Sequence, residues 1–408
     1  MRDGWTEMTL GDMAEVNPET TKGMPPQQHI RYIDLSAVSA DSGIDESAVI
    51  DYELHSAPGR ARRVVRHGDV LVSTVRPYLR GFAVVPESLD GAVASTGFTV
   101  LRARKELSLP GFVWSIVSKA DFADRLMERA TGSNYPAVRP NDIAEQVVLL
   151  PPLVVQRRVV DLVDAVDTYA AAAGRAAAET RRALDAHLEG FDTWTVSDGT
   201  ALGDLASMGS GPSWKAEQER SVAGPGTLPV VKITNTRPDG RLVMDERAFV
   251  ADLPASTGVL DEDSLVMIRT NGNRDRIGNV YRSTPETVGH AVSAFQIAVH
   301  PFDPADSAYL FWYLRSPRVQ RLISEAASGT TGLGNVAVRW LRQLEVPWPD
   351  ASTRAVFVDT AEAMLTASES ASNVGEGLSG LRSALLGELL SGEREVPGSY
   401  DELMGLVA

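Results

Sequence analysis

Six arginines crowd one short stretch of this chain. Arg60, Arg62, Arg63, Arg66, Arg76 and Arg80 flank the apolar run Val70, Leu71, Val72, and only Asp69 opposes them. A second stretch holds Arg269, Arg274, Arg276 and Arg282 beside Leu265, Val266, Met267 and Ile268, opposed by Asp275. Local formal charge is about +5 over 60–80 and about +3 over 269–282, counting Arg against Asp. Tyr78 lies in the first cluster, and Asn271 and Asn273 lie in the second. A guanidinium offers a planar fork of donors that fits a phosphate or the O6/N7 edge of guanine, and an asparagine amide fits the N6/N7 edge of adenine. Such groups recurring at two places, with different residues in each, point to contact with DNA. The plain alternative is a pair of solvated Arg-rich loops. Of the 39 basic residues 34 are Arg, which GC-rich coding also explains.

Groups that would do covalent chemistry are hard to find. No G-x-x-x-x-G-K-[ST] run is present, which argues against an NTPase. Gly329 to Gly334 is glycine-rich but follows a helical pattern and precedes a strand, the reverse of a dinucleotide fingerprint, and reads as a mobile loop. The six histidines (29, 55, 67, 187, 290 and 300) are scattered, with no pair at metal-ligand spacing. Asn17-Pro18-Glu19-Thr20 lacks the aromatic that an amino-methyltransferase places after Asn-Pro-Pro, and no nuclease Asp…Glu-x-Lys cluster stands out. An enzyme is not demanded by any of these residues.

The elements that must carry the two arginine clusters are written twice. Thr9-Leu10-Gly11-Asp12-Met13-Ala14 returns as Ala201-Leu202-Gly203-Asp204-Leu205-Ala206, an offset of 192. Gly68 to Val72 is answered by Glu262 to Val266 at 194, and Ser95 to Phe98 by Val292 to Phe295 at 197. Val113-Trp114 matches Phe311-Trp312 at 198, and Ala130-Thr131-Gly132 and Pro152 match Ala327-Ser328-Gly329 and Pro349 at 197. One order with a slowly drifting offset is the mark of a duplication. Each copy opens with short β-rich runs broken by Gly, Pro, Asn and Asp. Buried strands are expected at Val70 to Val75 and Leu265 to Ile268, and helices at about 110–130 and 305–326. A polar loop follows each helix, and its Ser133, Asn134 and Tyr135, or Thr330 and Thr331, join the candidate DNA contacts.

After Pro151-Pro152 and Pro347-Trp348-Pro349 the apolar spacing lengthens to about 3.5. Val159, Val163, Val166, Ala170, Ala173, Ala177, Thr180 and Leu184 form one seam. Phe357, Thr360, Met364, Ala367, Ala371, Val374, Leu378, Leu381 and Leu385 form the other. Seams of this kind belong to helices that pack on helices. Gly375, Gly377 and Gly380 interrupt the second at about 1 kcal/mol each relative to Ala. They predict a kink or fraying there, unless they admit a close backbone.

Composition fits this plan. A length of 408 residues and an apolar fraction of 43% allow several cored domains. There is no cysteine, so no disulfide or thiolate metal site; with no secretion signal and no apolar run long enough to span a membrane, a cytoplasmic protein without a membrane partner is expected. The net charge of −15 is unevenly spread. Residues 1–150 carry 16 basic and 20 acidic groups and 201–350 carry 15 and 17, whereas 351–408 carry 3 and 9. Phosphate contact depends on the local field, so the acidic total weighs only against strong non-specific binding.

Several stretches resemble the specificity subunit of type I restriction–modification systems. They are Leu10-Gly11-Asp12, Gly68 to Leu79, Asp263 to Arg269 with Asn271-Gly272 and Ile277 to Val280, Pro151-Pro152-Leu153 with Gln156-Arg157-Arg158, and Leu381 to Gly392. Val155 stands where the family usually has Glu, and the second proline turn lacks the Gln. The resemblance implies an α+β fold with two similar mixed α/β target-recognition domains, joined and spaced by two long antiparallel coiled-coil-like helices. The expected division is domain 1 at 1–150, a central spacer helix at 151–192, domain 2 at 193–350, a distal spacer helix at 351–392 and a flexible tail at 393–408. Each domain would read one half of a bipartite site in double-stranded DNA. The helices, about 57 Å long for roughly 38 residues, would dock two methyltransferase subunits. A translocase or endonuclease subunit would be a further partner. S-adenosylmethionine, ATP and Mg would sit on those partners, with no cofactor or metal on this chain. A stand-alone DNA-binding regulator, a protein-interaction scaffold and a metal-dependent nuclease are the competing readings.

Overall fold

The computed structural model describes residues 4–40, 43–192, 199–237, 240–253, 258–327 and 334–403. It divides into two compact units, one formed by 1–174 with 373–408 and the other by 175–372. Each long helix therefore gives part of its length to each unit.

In the first unit Thr6–Thr9 pairs antiparallel with Val147–Leu150. A short helix, Leu10–Met13, follows, capped reciprocally by Thr9 and Asp12. The central sheet runs Ala14–Val16, Phe98–Ala103, Val70–Ser73, Phe82–Val84, all antiparallel. Val70, Leu71 and Val72 are fully buried, which is why their sequence is a continuous apolar run without alternation. A second sheet runs Ile50–Glu53, His29–Ile33, Val93–Ser95, Ala61–Val64, its middle pair parallel. The helix expected near 110–130 is two, Pro110–Val117 and Phe122–Met127. Their Phe112, Val113, Ile116, Phe122 and Leu126 share a core with Val159, Val163, Leu386 and Leu389 of the long helices.

The second unit repeats the central sheet of the first, with a differently ordered second sheet. Thr200–Ala201 pairs with Glu345–Val346. The central sheet runs Ala206–Ser210, Gln296–Pro301, Leu265–Ile268, Val280–Arg282, and the second sheet again holds one parallel pair, Thr227–Val231 with Ala291–Val292. Ser307–Arg315 and Pro317–Ala326 cover the core. Tyr309, Trp312 and Phe191 meet Leu184, Leu188, Phe357 and Ala361 there.

Backbone bonding fixes the register of the repeat, and it corrects two matches by one residue. Val85 donates to the Asp69 carbonyl as Ser283 does to that of Ser264, and the Asp69 and Ser264 side chains accept from the Arg66 and Asp261 amides. Asp69 thus corresponds to Ser264, not to Asp263. In the same way Thr74 donates to Gly97 and Arg269 to Phe295, so Gly97 corresponds to Phe295 rather than Ala294. A slip of one residue turns a strand over.

The long helices are Leu153–Glu189, 37 residues, and Ala351–Leu390, 40 residues, the second continuous through its glycines. Every expected seam position of the first is buried or half-buried. The second seam is shifted: Ala367, Val374 and Leu381 are exposed, and their neighbours Ser368, Gly375 and Arg382 face inward. Small or tethered side chains occupy this stretch because the backbones are close. A Cβ added at Gly375 would lie 3.7 Å from the Ala170 carbonyl oxygen, whereas Gly377 and Gly380 face nothing within 4 Å. Arg382 pairs with Asp167 at 2.6 Å and donates to Ser118. Asp164 is exposed, yet partial desolvation by its neighbours and the like charges of Asp167 and Asp161 push its carboxyl up.

The residues expected as a flexible tail carry a short helix, Ser399–Leu403. The Arg158 Nε donates to Asp401 at 2.7 Å, so at least this part is held to the start of the first long helix. Among the described residues no helix is long and apolar enough to cross a membrane.

Candidate nucleic-acid interface

The first arginine cluster is split by its partners. Arg60 donates from Nε to the Tyr32 hydroxyl at 3.0 Å and from Nη2 to Asp34 at 2.6 Å. Arg66 places both arms of its fork on Glu19, at 3.0 and 2.6 Å. Glu19 also meets Arg102, which in turn holds the buried Asp69. These hydrogen bonds keep the Glu19 carboxyl below its usual range and raise Arg66 and Arg102. Arg80 donates to the carbonyls of Ser118, Lys119 and Ala120, closing the C-terminal end of the Pro110–Val117 helix. These forks are engaged by protein groups, although Arg60 and Arg66 remain exposed.

Other members of the set face outward. Arg62 is exposed and donates from Nε to the Gly59 carbonyl. Arg63 is half-buried, its Nε without a partner, and burial pulls its affinity for a proton down. Arg76 stacks over the ring of Tyr135, 4.2 Å from the centroid. Tyr135 is 67% exposed and Tyr78 50%, and Ser133 and Asn134 are exposed beside them in the loop. Arg76, Leu79 and Tyr135 line a pocket of about 520 Å³ with Leu35, Val38 and Ser73. The structure thus joins the strand exit and the polar loop that the sequence treated as separate candidates.

In the second unit Arg282 is committed inward, lying over Phe311 at 4.0 Å and bonded to Glu362, which also accepts from the Trp312 indole at 2.8 Å. Arg276 donates to the Thr236 hydroxyl at 2.7 Å and to the Ile233 carbonyl. Arg269 is half-buried with an unpartnered Nε, and Arg274 is exposed. Asn271 accepts from the Asn273 amide at 2.8 Å, and Asn273 accepts from Asp275 at 3.0 Å, so two side-chain carbonyls shape the turn. Thr330 and Thr331 lie outside the described residues.

The sequence reading passed over a second pocket, of about 570 Å³, lined by Trp214, Glu219, Lys232, Ile233, Ser293 and Phe295. Lys232 reaches Glu219 at 2.7 Å, and Phe295 is 54% exposed. No sequence signal marked it, because Phe295 falls opposite Gly97 only once the strands are paired. Among the described residues no group of three or more His, Asp or Glu could hold a metal ion.

No protein-family profile matches the chain. The specificity subunit of the type I restriction enzyme HindI from Haemophilus influenzae is 17% identical, the match covering 82% of this chain and 88% of that protein. A chain solved in work on complex assembly and conformational transition of the type I R-M system superposes with a TM-score of 0.65 at 22% identity, over 96% of this chain and 98% of the other. The S subunit of a type I restriction–modification system from M. genitalium superposes with a TM-score of 0.57 at 12% identity, over 96% and 97%. The HsdS subunit from Thermoanaerobacter tengcongensis superposes with a TM-score of 0.51 at 24% identity, over 97% and 98%. The resemblance read from the short motifs thus extends through both copies and both long helices, and the protein has the fold of the type I restriction–modification specificity subunits.

Proposed function

We propose that this chain is the sequence-reading subunit of a type I restriction–modification complex, with each unit recognising one half of a bipartite site in double-stranded DNA. The observation that carries this is the duplication on one central sheet, within a fold matched over nearly its whole length by specificity subunits. Two readers of one frame, carrying different outward residues, suit an asymmetric two-part target. Phosphate contacts would set register and base contacts would set sequence.

The long helices would dock two methyltransferase subunits, and a translocase or endonuclease subunit would complete the assembly. Methyl transfer from S-adenosylmethionine and ATP- and Mg-dependent steps would belong to those partners, and this chain would turn over no substrate. Arg62, Arg63, Arg76, Tyr78, Ser133, Asn134 and Tyr135 form the first proposed contact set, and Arg269, Asn271, Asn273, Arg274, Thr330 and Thr331 the second. Arg60, Arg66, Arg80, Arg276 and Arg282, whose forks meet protein groups, would support those surfaces. A cytoplasmic location follows from this role.

The test is binding of random-sequence duplexes by the full chain, alone and with a methyltransferase subunit. Enrichment of one two-part sequence by the complex, with no cleavage or methylation by the chain alone, is the expected result. Cleavage by the isolated chain with Mg, abolished by substitution within it, would overturn the reading.

A further inference from the structure

Arg76 and Asn271 occupy the same place in the two units. In the first, Arg76 follows Val75, which bridges Ala137, and its amide donates to Pro136 at 2.7 Å. In the second, Asn271 follows Thr270, which pairs with Asn335, and itself pairs with Gly334. Just upstream, Thr74 donates to Gly97 and accepts from Val138, while Arg269 donates to Phe295 and accepts from Val336. The hydrogen bonds that frame the two residues correspond. The residues themselves differ in side chain and in backbone, Arg76 being left-handed and Asn271 extended in a short strand.

Both residues stand just past a fully buried central strand, so the rigid core fixes their Cα positions. Arg76 holds a left-handed backbone, φ 50°, which a long side chain adopts only under constraint. Its Nε is buried without a hydrogen-bond partner, and an exposed aromatic ring rather than a carboxylate holds the guanidinium plane. Stacking fixes the plane of a fork while leaving its in-plane donors for a ligand. Asn271 is held differently: its Oδ1 accepts from the Asn273 amide, which sets the amide plane and leaves the Nδ2 donors and a second oxygen lone pair.

We infer that Arg76 and Asn271 are the paired base readers of the two half-sites. Arg76 places its fork on the O6/N7 edge of a guanine in one half, and Asn271 places its amide on the N6/N7 edge of an adenine in the other. The inference rests on the DNA-reading function proposed above.

The experiment uses the full chain with a methyltransferase subunit bound, a pool of random-sequence duplex DNA, and deep sequencing of the bound fraction. Arg76→Asn, Asn271→Arg and wild type are compared. Asparagine tolerates the left-handed backbone better than arginine, so Arg76→Asn keeps the fold, and thermal unfolding verifies this. Arg76→Asn is expected to lower the preference for guanine at one position of one half-site by roughly 5- to 150-fold, leaving the other half unchanged. Asn271→Arg is expected to act only on an adenine of the opposite half. Variants that fold and select the wild-type sequence in both halves overturn the inference and leave the DNA reading standing, as does a loss spread evenly over all sequences, which marks a phosphate contact. If Asn271→Arg does not fold, Asn271→Asp replaces it, removing the donor at the same size. A wild-type complex that enriches no two-part sequence overturns the DNA reading itself.

Discussion

Ser368 donates its hydroxyl to the backbone carbonyl of Ala177 on the facing long helix, 3.0 Å away. The bond needs a small side chain at a close approach of two backbones, and it explains why the inward position is Ser368 while the more apolar Ala367 faces solvent. Ser368→Leu should overpack this contact and cost about 1–3 kcal/mol in chemical unfolding. Ala367→Leu should change stability by less than about 0.5 kcal/mol. Equal effects at the two positions would contradict the seam described here.

The seam of the first helix is apolar at Val163 and Val166, beyond the buried Gln156 at its start. Val163 and Val166 are 2% and 8% exposed. Replacing both with Asp should destabilise the first unit by several kcal/mol, because each carboxylate would be buried or the contact opened. A denaturation midpoint that stays put would show the seam to be open to water.

Arg80 and Tyr135 should separate fold from recognition. Arg80→Ala leaves the carbonyls at the end of the Pro110–Val117 helix without their donors and should cost about 1–2 kcal/mol of stability. Tyr135→Ala removes an exposed ring and should leave thermal unfolding unchanged, while DNA selectivity in one half-site falls through Arg76. The reverse pattern would mean that Arg80 reads DNA and the Tyr135 ring is structural.

The Glu19 carboxyl gives a pH signature. Hydrogen bonding to Arg66 comes first among the causes holding its folded-state pKa below the ordinary 4.5. A depressed acid stabilises the fold above its unfolded pKa and loses that contribution as pH falls through the folded value. The gap in thermal midpoint between wild type and Glu19→Gln should therefore be constant from about pH 6 to 8 and close below about pH 4. A gap that does not narrow as pH falls below about 4 would assign it to packing instead of charge.

Much of the fold was legible because its patterns are local. The first helix could be read from Val159, Val163, Val166 and Leu184, all buried, and the central strands from two apolar runs. The second helix misled by one position, since Ser368, Gly375 and Arg382 are inward for reasons hydropathy does not carry: a hydroxyl bond, a close backbone and an ion pair. The same limit shaped the site. Arg66 is spent on Glu19, 47 residues away in sequence, and Arg80 on Ser118, 38 away, and no local pattern announces such partners. What separated Arg76 from its neighbours was a backbone frame visible only once strands were paired, and the one-residue slips in the repeat had hidden its equivalence to Asn271.

The division of the chain also sets an order of manufacture. Residues 175–372 supply the whole second unit, whereas the first unit is completed only by residues from 373 onward. A growing chain on the ribosome thus exposes Val159 and Val163 long before Leu386 and Leu389 are made to cover them. The part synthesised first is the part finished last, and through that interval its sticky helix face invites chaperones or misfolding. Premature termination anywhere before the second long helix ends would cost the first unit its cover as well as shortening the second helix.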